Sequence, residues 1–272
     1  MEKKRLSKIS AIHILKLVYR GVLFLAAVAV YVVARVRGVE LFDAESPLML
    51  MLLGAIWVVF VAEMLSRMFP SPLESMGCEK QFKRNYKPVE GAAPHLQEAK
   101  ITFAVAFVWL ALNALFGGLY LAGIFDRGLL LLIALAYSVC DMICILFFCP
   151  FQTWFMKNKC CTTCRIYNWD YAMMFTPLVF IPSFYTWTLL GLALVLLALW
   201  EIRVKAVPER FCECCNDALA CKNCQEKLCH HKRQLRAFWK TQTAALSDRK
   251  EKIEEKVTQL EEKLKNHLPK DK

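Results

Sequence analysis

The chain has 272 residues, 57% of them hydrophobic, and a formal net charge of +11. Soluble domains usually contain about 45–50% apolar residues, and here the apolar residues gather in long runs without charge. This composition argues against a soluble globular protein. No groove-reading motif accompanies the basic charge, so we expect no nucleic-acid partner.

Five apolar runs come close to the about 20 residues that a membrane-crossing helix needs. The first follows the basic leader MEKKRLSKIS and covers about residues 17–34, and Arg20 within it is expected to reach back to the membrane interface. The other four cover about residues 48–65, 101–125, 129–148 and 184–201. The sequence therefore predicts an all-α integral membrane protein, a multi-pass helical bundle with five full spans in the lipid bilayer.

Residues 169–182 form a further apolar segment that is too short for a full span. A single straight helix over residues 171–200 would be about 45 Å long, which exceeds the about 30 Å hydrocarbon core. Pro177 and Pro182 also interrupt it. We therefore predict a short or re-entrant leg over residues 169–182, followed by the span at 184–201. The alternative is one crossing in this region, which would place the tail outside the cell.

The distribution of cations predicts the orientation of the chain. Lysines and arginines concentrate at the N-terminus, in residues 67–100 and after residue 200. Cytoplasmic loops carry such an excess, so we expect the N-terminus and the tail in the cytoplasm and the protein in the cell membrane. The predicted domains are a transmembrane domain at 1–205, a cysteine-rich module at 206–234 and a helix at 235–272.

The cysteine-rich module is the strongest chemical signal. C-x-x-C pairs occur at Cys161–Cys164, Cys212–Cys215 and Cys221–Cys224, and two such pairs supply the four thiolates of a tetrahedral zinc site. The spacing resembles that of zinc-knuckle modules over these few residues. The predicted metal ligands are Cys160, Cys161, Cys164, Cys212, Cys214, Cys215, Cys221, Cys224, Cys229 and His230.

Other uses of the same thiols stay open. An iron–sulfur cluster also takes four cysteines, although the ferredoxin spacing is absent. A thiol redox relay would use C-x-x-C pairs whose thiolates are favoured by nearby cations. A disulfide framework is not expected, because the predicted compartment is reducing.

Polar residues inside the predicted spans form a second group of candidates. Cys140, Asp141 and Cys144 lie on the fourth span, and Asn113 on the third. A carboxylate inside a membrane suggests function, with Asn113 and the Tyr137 hydroxyl as expected partners. The structural alternative is helix packing by small residues. Met173 and Met174 are interpreted as part of an interfacial belt.

The end of the chain has a heptad pattern. Leu246, Ile253, Val257, Leu260 and Leu264 recur at a and d spacing. Residues 246–268 are therefore expected to mediate self-association or to bind a partner protein, and a solvated amphipathic helix is the alternative.

These patterns predict a membrane-anchored, zinc-binding scaffold or interaction protein. No nucleotide, hydrolase or metalloprotease motif is present, so an enzyme is not expected. The alternatives are a membrane redox component, with an iron–sulfur cluster or C-x-x-C thiols, and a transporter of soft metal ions or protons.

Overall fold

The computed structural model of the protein describes residues 8–38, 47–69, 80–96, 99–158 and 160–223. These residues form helices and turns, and their one strand-like pairing is an isolated bridge between Pro88 and Asn216. The predicted all-α class is confirmed for this part of the chain. The predicted helix at 235–272 lies outside the described residues, as do Cys224, Cys229 and His230.

Five long helices overlap the five segments that the sequence predicts as spans. They are α1 (Lys8–Arg37), α2 (Pro47–Met68), α3 (Ala99–Leu121), α4 (Arg127–Leu146) and, after the short helix α5 (Asp170–Phe175), α6 (Phe184–Ala206). Four of them, α1 over Ala11–Arg37, α3, α4 and α6, are long and apolar enough to cross a membrane. Helix α2 covers the predicted span at 48–65.

The distribution of polarity is reversed relative to a soluble protein. Leu25 and Phe107 are 66% and 73% exposed, whereas Arg20 and Ser138 are fully buried. Large exposed apolar side chains are stable against lipid tails, and ionisable residues of membrane helices face the interior of the bundle. The burial pattern and the four apolar helices together indicate a membrane-associated protein.

The sequence explains where several helices begin and end. Gly123 follows α3 with a φ of +73°, a left-handed conformation that glycine adopts without strain. Asp126 then caps α4 by accepting a hydrogen bond from the Leu129 amide at 2.7 Å. Ser183 and Thr186 form a capping box at the start of α6.

The predicted leg at 169–182 is built from two short helical types. Helix α5 covers Asp170–Phe175 and continues as a 3-10 helix over Thr176–Phe180. Pro177 lies at the start of the 3-10 helix, and because proline has no amide hydrogen, the α-helical ladder ends there. Six α-helical and five 3-10 residues extend for about 19 Å.

The leg runs antiparallel to α6. At one end, the Trp169 indole donates to Glu201 at 2.8 Å. At the other end, the Trp187 indole donates to the Val179 carbonyl at 3.3 Å. The leg therefore extends along α6 from Glu201 to Trp187, a distance of about 21 Å along that helix.

Candidate metal centre and buried ion pairs

A tight turn brings together the first cysteines of the tail. After α6, the chain forms a 3-10 helix over Pro208–Phe211 and then turns at Cys212. The amides of Cys215 and Asn216 both donate to the Cys212 carbonyl, at 3.2 and 3.0 Å. This turn places the two cysteines of the C-x-x-C pair on the same side.

The sulfur atoms of Cys212, Cys214 and Cys215 lie within 4.8 Å of one another. Cys212 and Cys214 are joined by a disulfide, with a Cα–Cα distance of 5.4 Å, inside the ordinary range for such bonds. The sequence analysis expected no disulfide here. Ligation of a metal by Cys212 or Cys214 therefore requires reduction of this bond. The Cys215 sulfur lies 3.7 Å from that of Cys214.

The cysteine turn packs against the loop between α2 and α3. The His95 amide donates to the Cys212 sulfur at 3.4 Å, and the Cys215 thiol donates to the Ala92 carbonyl at 3.5 Å. The Val89 amide donates to the Cys215 carbonyl at 3.1 Å. The loop thus supplies polar contacts to the sulfur cluster.

Asn216 holds the tail and the loop together. Its side-chain oxygen accepts hydrogen bonds from the amides of Lys87 and Ala218, at 3.3 and 3.1 Å. Its amide nitrogen donates to the carbonyls of Lys80 and Arg210, at 3.1 and 2.9 Å. Asn216 is fully buried, so these four bonds replace the water that its side chain loses. We call this contact between residues 80–96 and 207–223 the clasp.

The charged end of the tail segment is exposed. Lys222 forms an ion pair with Asp217 at 3.0 Å. Hydrogen bonds from Lys222 and Asn223 hold the pKa of the Asp217 carboxyl below its usual value. Cys221 lies in the 3-10 turn Cys221–Asn223 and is exposed.

A buried ion-pair network joins four helices within the predicted membrane domain. Arg20 of α1 contacts Glu63 of α2 at 2.6 Å and Asp141 of α4 at 3.1 Å. It also donates to the Ser138 carbonyl at 3.1 Å and lies over the Phe60 ring, 5.4 Å from its centre. Glu63 and Asp141 each lie five residues before the end of their helix, or about 7.5 Å along its axis.

Glu63 is the acceptor of several donors. Lys16 forms an ion pair with it at 3.2 Å, and the Tyr19 hydroxyl donates to it at 2.6 Å. The Tyr171 hydroxyl of α5 donates to it at 2.8 Å. The carboxylate of Glu63 thereby connects α1, α2 and the leg.

A second ion pair extends the network. Arg67 of α2 lies 2.5 Å from Asp170 at the start of α5. The Arg67 guanidinium also stacks over the Tyr171 ring, 4.8 Å from its centre. The network, defined by Lys16, Arg20, Glu63, Arg67, Asp141 and Asp170, contains three basic and three acidic side chains, so its formal charges cancel.

The network corrects two predictions from the sequence. Arg20 does not reach back to the interface, since its side chain is fully buried between α1, α2 and α4. It is also the partner of Asp141, a role that the sequence analysis gave to Asn113 and Tyr137. Asn113 is buried and donates to the Trp109 carbonyl on its own helix at 2.9 Å.

Several of the remaining predicted cysteines line a cavity next to this network. Cys140 and Cys144 of α4 line it together with Cys161 and Cys164. Burial, above all, raises the pKa of the Cys164 thiol to about 12. Cys160 lies just before the 3-10 turn Cys161–Thr163.

The ion pairs were not predicted, although the spacing of the charged residues on α1 and α2 indicates them. Lys16 and Arg20 are four residues apart on α1, and Glu63 and Arg67 are four residues apart on α2. Residues at this spacing share a helix face. Charged residues on one face of two apolar helices indicate that these faces meet.

Comparison of the chain with protein-family models, with curated proteins and with solved structures found no match.

Proposed function

We propose that the protein is a membrane-anchored scaffold whose tail is held at the membrane surface by a zinc-binding cysteine cluster. The observation that carries this proposal is the convergence of three sulfurs at the clasp, where Cys212, Cys214 and Cys215 lie within 4.8 Å of one another. A bound ion would fix the tail relative to the helices, and the following residues would be presented for self-association or to a partner.

The spacing of the sulfurs supports zinc. With a zinc–sulfur distance of about 2.3 Å and tetrahedral angles, two sulfur ligands lie about 3.8 Å apart. The Cys214 and Cys215 sulfurs are 3.7 Å apart. After reduction of the disulfide, the three thiolates would supply three of the four zinc ligands. Cys221 or Cys224 is the proposed source of the fourth ligand.

The zinc content of the purified full-length protein tests this proposal. We expect about one zinc per chain after purification under reducing conditions and mild washing. Cys215→Ser is expected to lower the zinc content, and the control Cys140→Ser, on α4, to leave it unchanged. Wild-type protein without zinc would refute the proposal.

The clasp also supports the proposal that the loop between α2 and α3 lies on the same side of the membrane as the tail. It joins the loop that follows α2 and precedes α3 to the segment after α6, so these helix ends face one side of the membrane. The loop carries Lys80, Lys83, Arg84 and Lys87, and cation-rich loops are typically cytoplasmic. We propose five membrane-crossing helices plus the leg, with the N-terminus and the tail in the cytoplasm.

Protease protection tests this topology. Trypsin added to sealed inside-out vesicles is expected to cut after the loop cations, whereas right-side-out vesicles protect them. Cleavage only in right-side-out vesicles would reverse the proposed orientation. Lysing the vesicles with detergent shows that the sites are cleavable in both preparations.

The disulfide favours a second candidate function, a thiol redox component. Cys212 and Cys214 are the oxidised pair, and the Cys215 thiol is adjacent. Equilibration with glutathione buffers of set potential is expected to interconvert the Cys212–Cys214 disulfide and the reduced dithiol. The two forms are distinguished by their mass shifts after alkylation. A pair that stays oxidised or stays reduced throughout the cytosolic range would exclude this function.

An iron–sulfur cluster would be recognised by colour. A visible absorption band at about 400 nm in the purified protein would reveal such a cluster.

A transporter of soft metal ions or protons would be recognised by flux. This alternative predicts that Asp141→Asn with Cys144→Ser abolishes ion flux in liposomes, and unchanged flux would exclude a path through these residues.

A further inference from the structure

A cavity of about 300 Å³ lies beside α4, where the chain leaves this helix for the leg. Five cysteines line it, namely Cys140, Cys144, Cys149, Cys161 and Cys164. Two methionines, Met173 and Met174, line it as well. None of the five cysteines belongs to the disulfide of the tail.

The sulfurs come from separate parts of the chain. Cys144 is near the end of α4, and Cys149 follows this helix directly. Cys161 belongs to a 3-10 turn, and Met174 to α5. Met174 is 1% exposed, so it is not the interfacial residue that the sequence suggested. The fold thus collects sulfur at one place from residues that are up to 34 positions apart.

Three hydrogen bonds order the thiols inside the cavity. The Cys144 thiol hydrogen-bonds to that of Cys149. Gln152 is buried, and its amide donates to the Cys149 sulfur at 3.3 Å while its side-chain oxygen accepts from the Cys161 thiol at 3.1 Å. Gln152 therefore contacts Cys149 through its backbone amide and Cys161 through its side chain.

We propose that this cavity is a binding site for a soft monovalent metal ion, Cu(I), with the adjacent thiols of Cys144 and Cys149 as ligands and Met174 as a thioether ligand. Thiolates bind both Cu(I) and zinc, but a thioether is a soft ligand that suits Cu(I). Structural zinc sites take cysteine, histidine and carboxylate, so Met174 favours Cu(I). The site is separate from the proposed zinc cluster of the tail and does not depend on it.

The carboxylates near the cavity do not favour a hard divalent ion. Asp141 and Asp170 line the cavity, but Arg20 contacts the first at 3.1 Å and Arg67 contacts the second at 2.5 Å. These arginines compensate the negative charges that a calcium or magnesium ion would need.

Binding is accompanied by proton release. One Cu(I) that is bound by two thiols as thiolates displaces two protons, and the complex carries one negative charge. The apparent affinity is therefore expected to rise as the pH increases. A pH-independent affinity would contradict thiolate ligation.

The first experiment measures Cu(I) stoichiometry. Full-length protein in detergent is titrated anaerobically with Cu(I) in competition with a colorimetric Cu(I) chelator. Cys144→Ser/Cys149→Ser is expected to lose one Cu(I) equivalent relative to the wild type. Cys160→Ser, at a cysteine that does not line the cavity, is expected to keep this equivalent. Equal stoichiometry in the wild type and the double variant would refute the site.

The second experiment locates the ion without altering any cysteine. Wild-type protein with and without Cu(I) is treated with N-ethylmaleimide, and each labelled cysteine is quantified by peptide mass spectrometry. We expect at least tenfold slower labelling of Cys144 and Cys149 in the presence of Cu(I). Protection confined to the tail cysteines would overturn the proposal.

A methionine variant supplies an independent check on the ligand set. Met174→Leu nearly conserves the volume of a buried side chain and is well tolerated in a core, but it removes the thioether. It is expected to weaken Cu(I) binding about tenfold while the unfolding temperature stays within a few degrees. Unchanged Cu(I) affinity would exclude Met174 as a ligand.

Discussion

Arg20 links three helices through its two carboxylate partners. It is fully buried, and its guanidinium contacts Glu63 and Asp141 from different helices. The loss of one member of a buried ion pair leaves the other charge uncompensated, which typically costs about 3–5 kcal/mol. Arg20 therefore stabilises the fold, and its contribution to the free energy of unfolding is measurable.

Replacing Arg20 tests this role. Arg20→Met keeps a long side chain but removes the charge, and we expect a destabilisation of about 3–5 kcal/mol, measured by denaturant unfolding in detergent. Arg35→Met is the matched control on α1, because Arg35 is 67% exposed and lies 3.7 Å from Asp126. Exposed pairs contribute about 0–1 kcal/mol. Equal effects of the two variants would refute the buried network.

Cys164 permits a test of burial by chemical reactivity. Its pKa is raised to about 12, mainly by burial, and only the thiolate reacts with alkylating reagents. Between pH 7 and pH 9 the thiol is therefore mostly protonated, and the labelling rate of the folded protein is expected to rise about tenfold per pH unit. Cys221, which is exposed, is expected to react before Cys164 at pH 7. A labelling rate of Cys164 that levels off below pH 9 would contradict this protonation state.

At the scale of elements, the leg packs closely against α3 at Gly117. A Cβ atom built on Gly117 would lie 2.1 Å from the Cζ atom of Phe180, whereas one on Gly118 would meet nothing within 4 Å. The 3-10 end of the leg thus occupies the space that the missing side chain of Gly117 leaves.

This pair of glycines provides a matched experiment. Gly117→Ala is expected to displace the Phe180 ring and to destabilise the protein by about 1–3 kcal/mol. Gly118→Ala is expected to be neutral or stabilising by up to about 1 kcal/mol, because alanine has the higher helix propensity. Unfolding temperatures in detergent measure both effects. If Gly117→Ala is as stable as Gly118→Ala, the leg does not pack against α3 as described.

The clasp is a second element whose strength can be measured. Asn216→Leu removes four hydrogen bonds of a buried amide and leaves their backbone partners unsatisfied, at about 1–3 kcal/mol for each buried group. We expect trypsin to cleave the loop at least about tenfold faster in this variant, since 1–2 kcal/mol changes an opening equilibrium about 5–30-fold. Asn223→Leu is the control, because Asn223 is exposed and bonds only locally, to Asp217. Equal cleavage rates in the two variants would contradict a role of Asn216 in the clasp.

At the scale of the whole molecule, the positions of the helices were predictable. Apolar runs show where an element lies, and the predicted segments 101–125 and 184–201 overlap α3 and α6 with differences of a few residues. Pro177 also indicated the break inside the leg. These features depend on local sequence, which periodicity and residue type report directly.

The contacts between distant residues were not predictable in the same way. Arg20 meets Glu63 and Asp141 across 43 and 121 residues, and no local pattern specifies such a pair. The tail cysteines were identified as a group, but their contact with residues 88–95 depends on how the helices bring the loop and the tail together. The sulfur-lined cavity likewise arises only when the leg folds back beside α4.

The neutral ion-pair network has a consequence for biosynthesis. Helix α1 carries Lys16 and Arg20 within its apolar stretch, and a cation on an isolated membrane helix costs up to about 2.5–3.5 kcal/mol to insert, the value at the helix centre. The anions that offset this cost are synthesised later, Glu63 with α2 and Asp141 with α4. The first helix is therefore expected to reach its final depth only when the ribosome has completed the fourth.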